Sequence, residues 1–359
     1  ITAVIGVHIL WLCTIFTWAA LPETVDDALS PNARELLEQL EEDAADSGTL
    51  SEGLARLWDK ACDLLAANFR SSLRVMVVLL GTVLLYGVAE GSFQAAEHPL
   101  SVNFVPLSFV LVITMTAAGD VQTMMGAGTE TMEQLDVLGK ALLPTLAAAV
   151  AAGGGIVSAG VRQVATVFVA DLLLALIRNV LLPVVYFYVA AASANAMLPG
   201  DPLKRVADGI KKVVTWALTG SLVLFTGYLT MTGAASTSAD ALALQMTRTV
   251  ISTAVPVVGG IISQASSSVL SGAGLLKNSV GIFGMLAVLA TCLTPFLRMA
   301  VQYLLYKLTA FLAGTAGSGT LVELINALGS AFGLVLGMVG SCALLLLISI
   351  TSSVSVVIP

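Results

Sequence analysis

The stretches ALLPTLAAAVAAGGGIVSAG, residues 141–160, and TAVPVVGGIISQASSSVLSG, residues 253–272, decide how this chain is organised. Each sets a proline ahead of an apolar run broken by small residues, Gly153–Ser158 in the first and Ala265–Ser268 in the second. Pro144 and Pro256 are 256 − 144 = 112 residues apart, and Pro183 in VLLPVVYFYV and Pro295 in CLTPFLRMAV are also 295 − 183 = 112 apart. Two prolines in register, with the same order of elements around them, point to one unit written twice. Leu203-Lys204-Arg205 and Leu321-Val322-Glu323 stand at similar places, each ahead of a long apolar run.

Around these stretches the composition leaves one class open. The 359 residues are 57% apolar and only 11% charged, where a soluble domain carries roughly a quarter charged residues. Several runs exceed the roughly 20 apolar residues that cross a bilayer as a helix, and 32 glycines suit close helix packing in lipid. The sequence therefore predicts an all-α, polytopic helical membrane protein with an internal duplication.

The net charge of −7 is local. Residues 21–71 hold 12 of the 23 acidic groups and four basic ones, Arg34, Arg56, Lys60 and Arg70. The rest is near neutral, with 23 − 12 = 11 acidic and 16 − 4 = 12 basic groups, so the sequence offers no basic face for nucleic acid. Cys13, Cys62, Cys292 and Cys342 are scattered, without C-x-x-C or metal spacing, and read as packing residues.

Residues 1–20 are apolar and close in Thr17-Trp18-Ala19-Ala20, the pattern of a signal peptide or of a first hydrophobic segment. Residues 21–71 read as an acidic extracytoplasmic helical region: Ser30-Pro31 opens a helix, and Thr49 with Glu52 makes a capping box. Residues 72–125 read as a first transmembrane helix pair, with spans near 73–93 and 102–122. Membrane repeat 1 then covers 126–235 and membrane repeat 2 covers 236–359. Within repeat 1, residues 128–140 set Met132, Leu135 and Leu138 against Glu130, Glu133 and Asp136, as in a helix lying along the interface.

Interrupted segments in duplicated units occur in transporters whose broken helices line a central site. The interruptions here are Gly153-Gly154-Gly155, and Ser266-Ser267-Ser268 through Gly272-Ala273-Gly274. Exposed backbone at membrane depth is tolerated only against protein or water. Small residues equally permit tight helix crossing, and the sequence leaves both readings open. The densest basic loop carries Lys204, Arg205, Lys211 and Lys212 and should be cytoplasmic. Counting every apolar stretch as a span puts that loop outside; a re-entrant hairpin at 141–177 removes the conflict and makes the repeats parallel.

Candidate positions for the repeat interface or a pore are Lys277, Asn278, Gly281, Asn179, Gly154, Gly155 and Ser267, with Pro144, Pro183, Pro256 and Pro295 as helix breaks. Arg178, Arg298 and Lys307 read as charges that snorkel to the interface, while Asp171 and Lys277 stay open. No P-loop, Rossmann glycine pattern or H-E-x-x-H motif appears, and His8 and His98 lie far apart. The expectation is no enzyme, no catalytic or metal-binding residues and no cofactor.

The stretch LLPTLAAAVAAGGGIVSA, RNVLLP at Arg178–Pro183, and VPVVGGIISQASSSVLSGAGLLKNSVGIFG resemble the stage III sporulation protein AE family of endospore-forming Firmicutes. YKLTAF at Tyr306–Phe311 and the basic KRVADGIKKV loop also match, and LLKNSVGIFG, Leu275–Gly284, is the most specific part. The resemblance covers essentially the whole chain. It implies a multi-pass component of the mother-cell membrane around the forespore, within a trans-envelope channel or feeding tube, as permease-like core or assembly platform. Implied partners are other stage III sporulation A-operon proteins, including a separate secretion-type ATPase, and indirectly the forespore stage II sporulation protein Q, besides the lipid bilayer. Homo-oligomer formation is left open. A stand-alone secondary transporter and a purely structural scaffold are the competing readings. Asp171 departs from the family pattern, and residues 234–250 follow it only loosely.

Overall fold

The computed structural model describes the backbone of residues 73–93, 105–152, 158–198, 200–254, 259–315 and 319–354, with Leu29, Pro31, Arg34 and Phe69 as isolated positions. Side chains are described within these ranges except at 143, 146–152, 158–164, 167, 232–254, 259–280 and 352–354. The expected signal segment, nearly all of the 21–71 region, Gly154, Gly155 and Pro256 lie outside the described residues, as do the side chains of Ser267, Lys277 and Asn278.

The regular structure is helical throughout the described residues. Helix α1 is Leu73–Phe93, α2 Val105–Ala152 and α3 Ser158–Leu176; a π-helical turn, Ile177–Leu181, leads straight into α4, Leu182–Met197. Then follow α5, Lys204–Ala254, α6, Gly259–Gly314, and α7, Gly319–Val354. Among the described residues, six segments are long and apolar enough to cross a bilayer: Leu73–Phe93, Val105–Leu142, Phe168–Met197, Lys204–Met231, Gly281–Gly314 and Gly319–Thr351. The sequence-predicted class, an all-α multi-pass membrane protein, is the one observed.

Large apolar side chains point outward on all six of these segments, among them Val88, Met115, Phe168, Phe187, Trp216, Leu224, Met231, Phe311 and Leu344. In water such a surface would be a liability; in lipid it is the solvated face. Hydroxyls follow the same logic. Thr82, Thr116, Thr131, Thr226, Thr291 and Thr309 each donate to the carbonyl four residues back, within 2.6–2.9 Å. Each of these hydroxyls, satisfied inside its own helix, presents no unpaired donor to the hydrocarbon.

The bundle is wound around α7. Its Ile325, Phe332, Val335, Met338, Val339, Cys342 and Leu345 are buried completely or nearly so. Helix α6 lies antiparallel on it, so that Gly314 meets Val322, Tyr306 meets Gly329, Tyr303 meets Gly333, Phe296 meets Gly340 and Gly284 meets Ile350. Helix α2 runs parallel to α7, with Gly128 against Val335 and Gly139 against Leu346. Without an oil–water gradient between helices, close van der Waals packing through small residues is what holds such pairs. The ring of Phe332 adds an edge-on contact with Tyr306, centroids 4.8 Å apart.

Four expectations differ from what is observed. Residues 128–140 do not form an interfacial helix: they belong to the 48-residue α2, and Met132, Leu135 and Leu138 are buried in the core. Their acidic face is answered by Lys140 of the same helix, which bridges Asp136 and the α3 residue Asp171 at 2.9 Å each, and by Arg178 of the π turn at 3.9 Å from Glu133. The second interruption does not break the backbone, which is helical from Gly259 to Gly314 across Ser266–Ser268 and Gly272–Gly274. Lys307 does not snorkel outward but turns onto α7. The expected boundaries at 125/126 and 235/236 both fall inside helices, α2 and α5.

The chain reaches α5 through a tight turn. Asn195 accepts the Leu203 N–H at 3.0 Å and donates to the Asp201 carboxylate at 3.2 Å. Gly200 and Asp201 take positive φ, +83° and 51°, which glycine adopts freely and aspartate tolerates. Three spans precede this turn, so simple alternation already puts Lys204, Arg205, Lys211 and Lys212 on the side opposite residues 21–71. The basic loop needs no re-entrant hairpin to satisfy the positive-inside rule.

Candidate functional site

One set of contacts between the two sequence halves runs from where α5 and α7 begin. Lys204 Nζ lies 2.7 Å from Glu323 Oε1, Lys211 Nζ donates to Ser330 Oγ at 3.3 Å, and Leu218 Cδ1 comes within 3.5 Å of where a Cβ on Gly337 would stand. All three pairs share one offset, 119 residues, and recur every seven positions. A constant offset means parallel helices, and a seven-residue recurrence keeps one seam facing its partner every second turn. Two hairpins, α4–α5 and α6–α7, therefore present their second helices side by side in the same direction.

Beside this seam, Lys307 of α6 reaches the same serine. Its ammonium donates to Asn326 Oδ1 at 2.6 Å, to Ser330 Oγ at 2.7 Å and to the Asn326 carbonyl at 3.0 Å, which uses all three of its protons. Ser330 passes its own hydroxyl to the Asn326 carbonyl at 3.0 Å. Two ammonium groups thus share one hydroxyl, and neither forms an ion pair among the described residues. The Lys307 ammonium also stands 5.9 Å from the Tyr303 ring centroid, within cation–π range.

The lysine pair heads a groove of about 560 Å³. Ser330, Gly333, Gly337, Gly340 and Ser341 of α7 make its floor, with Thr215 on one wall and Tyr303 and Phe296 on the other. On the loop side a cavity of about 200 Å³ shares Lys211 and Ser330 and carries Asp201, Asp208 and Glu323. A second polar node lies deeper. Asp120 of α2 accepts bonds from Gln302 Nε2 at 3.0 Å and the Tyr306 hydroxyl at 2.9 Å, both on α6. A carboxylate at that depth is costly unless held this way.

Of the sequence-predicted positions, Asn179 lies in the π turn, exposed, and its carbonyl oxygen accepts from its neighbour Arg178 at 3.4 Å. Gly281 is buried on α6, and Ser267, Lys277 and Asn278 belong to the backbone of the same helix. Pro144 and Pro295 sit inside α2 and α6, and Pro183 follows the π turn. The residues that join α5 to α7, Lys204, Lys211, Leu218, Glu323, Ser330 and Gly337, are not among the predicted positions. Their signal is present all the same: the matched positions of Lys204 and Glu323, followed at steps of seven by Lys211 and Leu218 on one helix and by the small residues Ser330 and Gly337 on the other.

Six spans among the described residues and an outward apolar surface define a multi-pass helical membrane protein. The chain matches the family described as Stage III sporulation protein AE over residues 36–356. It belongs to that family and is a membrane component of sporulation. It is similar to the Stage III sporulation protein AE of Bacillus subtilis (strain 168), 24% identical over 277 residues, which is 76% of this chain and 69% of that protein. No solved structure matches it.

Proposed function

We propose that this protein is the membrane-embedded assembly platform of a trans-envelope channel between mother cell and forespore. The observation that carries this reading is the packing of α7, filled by side chains along its length and clasped by α2, α5 and α6 through glycine contacts. A helix so enclosed occupies the axis where a conduit through a single copy would run. The seven-residue seam between α5 and α7 supports a parallel duplication, as in a rigid frame of two related hairpins. A stand-alone transporter would need these halves to move apart, against the glycine joints that α7 makes with α2, α5 and α6.

In this role the protein is not an enzyme. It sits in the mother-cell membrane and gathers other stage III sporulation A proteins, and a separate ATPase supplies the energy. Partners approach through the outward apolar faces and the ends of the long helices. The test is co-purification from sporulating cells in mild detergent. Without this chain, or with Gly128→Leu to disrupt the bundle, the remaining proteins are expected not to assemble. Full assembly in its absence would refute the platform.

A further inference from the structure

We propose that the groove headed by Lys211 and Lys307 is a binding site for an anionic phospholipid, its phosphate at the lysine pair and an acyl chain along α7. The proposal is independent of the platform reading. Lys307 spends its three protons on Asn326 and Ser330, so it contributes charge at a fixed position. Lys211 spends one proton on Ser330 and keeps two for a ligand among the described residues. Two like charges on one hydroxyl repel, and an anion between them removes the penalty.

The acidic groups nearby do not serve as that anion. Glu323 is held by Lys204 at 2.7 Å and Asp201 by Asn195 at 3.2 Å. Asp208, three residues before Lys211, lines the loop-side cavity and not the groove. The charged side chains lining the groove itself are the two lysines.

Depth and shape argue for a lipid rather than a soluble anion. Lys211 lies seven residues into α5 and Lys307 seven before the end of α6, about 10 Å from either helix end. That level suits the boundary between headgroups and hydrocarbon. From Ser330 to Leu344 the floor runs fourteen residues along α7, roughly 21 Å, enough to cover one leaflet of a core ~30 Å thick. The wall residues Tyr303 and Phe296 pack onto Gly333 and Gly340, which keeps the floor low beside them, and Leu344 at its far end is 46% exposed, so the groove opens sideways into the bilayer.

The test uses the full chain in nanodiscs of phosphatidylcholine carrying a trace of photocrosslinkable phosphatidylglycerol, or of the same probe with a choline headgroup. Labelled peptides are mapped by mass spectrometry. The glycerol probe is expected on peptides holding Thr215 or Ser330–Leu344, at least fivefold over the choline probe. A basic residue at an anionic surface contributes about fivefold in binding, so Lys211→Gln lowers the signal about fivefold and Lys211→Gln/Lys307→Gln about thirtyfold. Lys211→Arg keeps it, and the elution profile checks that each variant is folded. Equal labelling by both probes, or unchanged labelling in Lys211→Gln, overturns the site. Loss of labelling in millimolar inorganic phosphate overturns it too, as the mark of a small-anion site.

Discussion

Gly128 meets Val335 at a distance no side chain can share: a Cβ there would stand 2.5 Å from Val335 Cγ1, on a residue that is fully buried and stiff. Gly128→Ala is therefore expected to lower stability in detergent by about 1–3 kcal/mol. Gly220 is the control, since a Cβ added there would meet nothing within 4 Å; Gly220→Ala should be neutral or gain up to about 1 kcal/mol of helix propensity. Thermal unfolding of the two variants side by side decides the matter. Asp120 makes a parallel case in polar chemistry. Asp120→Asn keeps an acceptor for Gln302 and Tyr306, whereas Asp120→Leu strands both donors at a cost of about 1–3 kcal/mol each. The leucine variant should be clearly the less stable. Sequence reasoning passes over Asp120 because its partners lie about 180 residues away and leave no local trace.

Between elements, the legible and the illegible separate by range. The paired prolines stand at an offset of 112, while the contacts between α5 and α7 run at 119. Both are real spacings: α6 runs 314 − 295 = 19 residues past its proline and α4 197 − 183 = 14, the second turn is two residues shorter, and a four-residue stagger of α7 on α5 completes the difference. Local pattern misleads at 128–140, where an amphipathic face reads as a helix on the membrane surface. Its charges are met by Lys140 on the same helix and by Arg178 in the π turn, while the apolar side, Met132, Leu135 and Leu138, is buried against protein. Pro183 reads as a break, yet the chain absorbs it as a π turn. The Leu182 N–H bonds the Ile177 carbonyl five residues back, and the proline, which has no N–H to offer, falls just after. At the head of the α5–α7 seam, Lys204 and Glu323 are about half exposed, 48% and 49%. Lys204→Glu alone should cost less than about 1 kcal/mol, and the reversed pair Lys204→Glu/Glu323→Lys should recover it. A double-mutant cycle in low and high salt measures this.

At the scale of the whole molecule, composition makes the class plain, but it does not reveal the central helix. Every span is apolar, and lipid and protein interiors are equally good solvents for leucine, so hydropathy cannot tell an enclosed helix from a peripheral one. The available clue is the spacing Gly329, Gly333, Gly337 on α7, a small-residue stripe that only a closely packed helix needs. The same enclosure makes the frame rigid, and rigidity separates a platform from a transporter with moving halves. The most direct measurement is a lock between those halves: Leu218→Cys with Gly337→Cys, on a background in which Cys13, Cys62, Cys292 and Cys342 are replaced. Sporulation is then scored with the disulfide formed and with it reduced. A static platform sporulates equally well in both states; failure when the bond forms, with recovery on reduction, would contradict it.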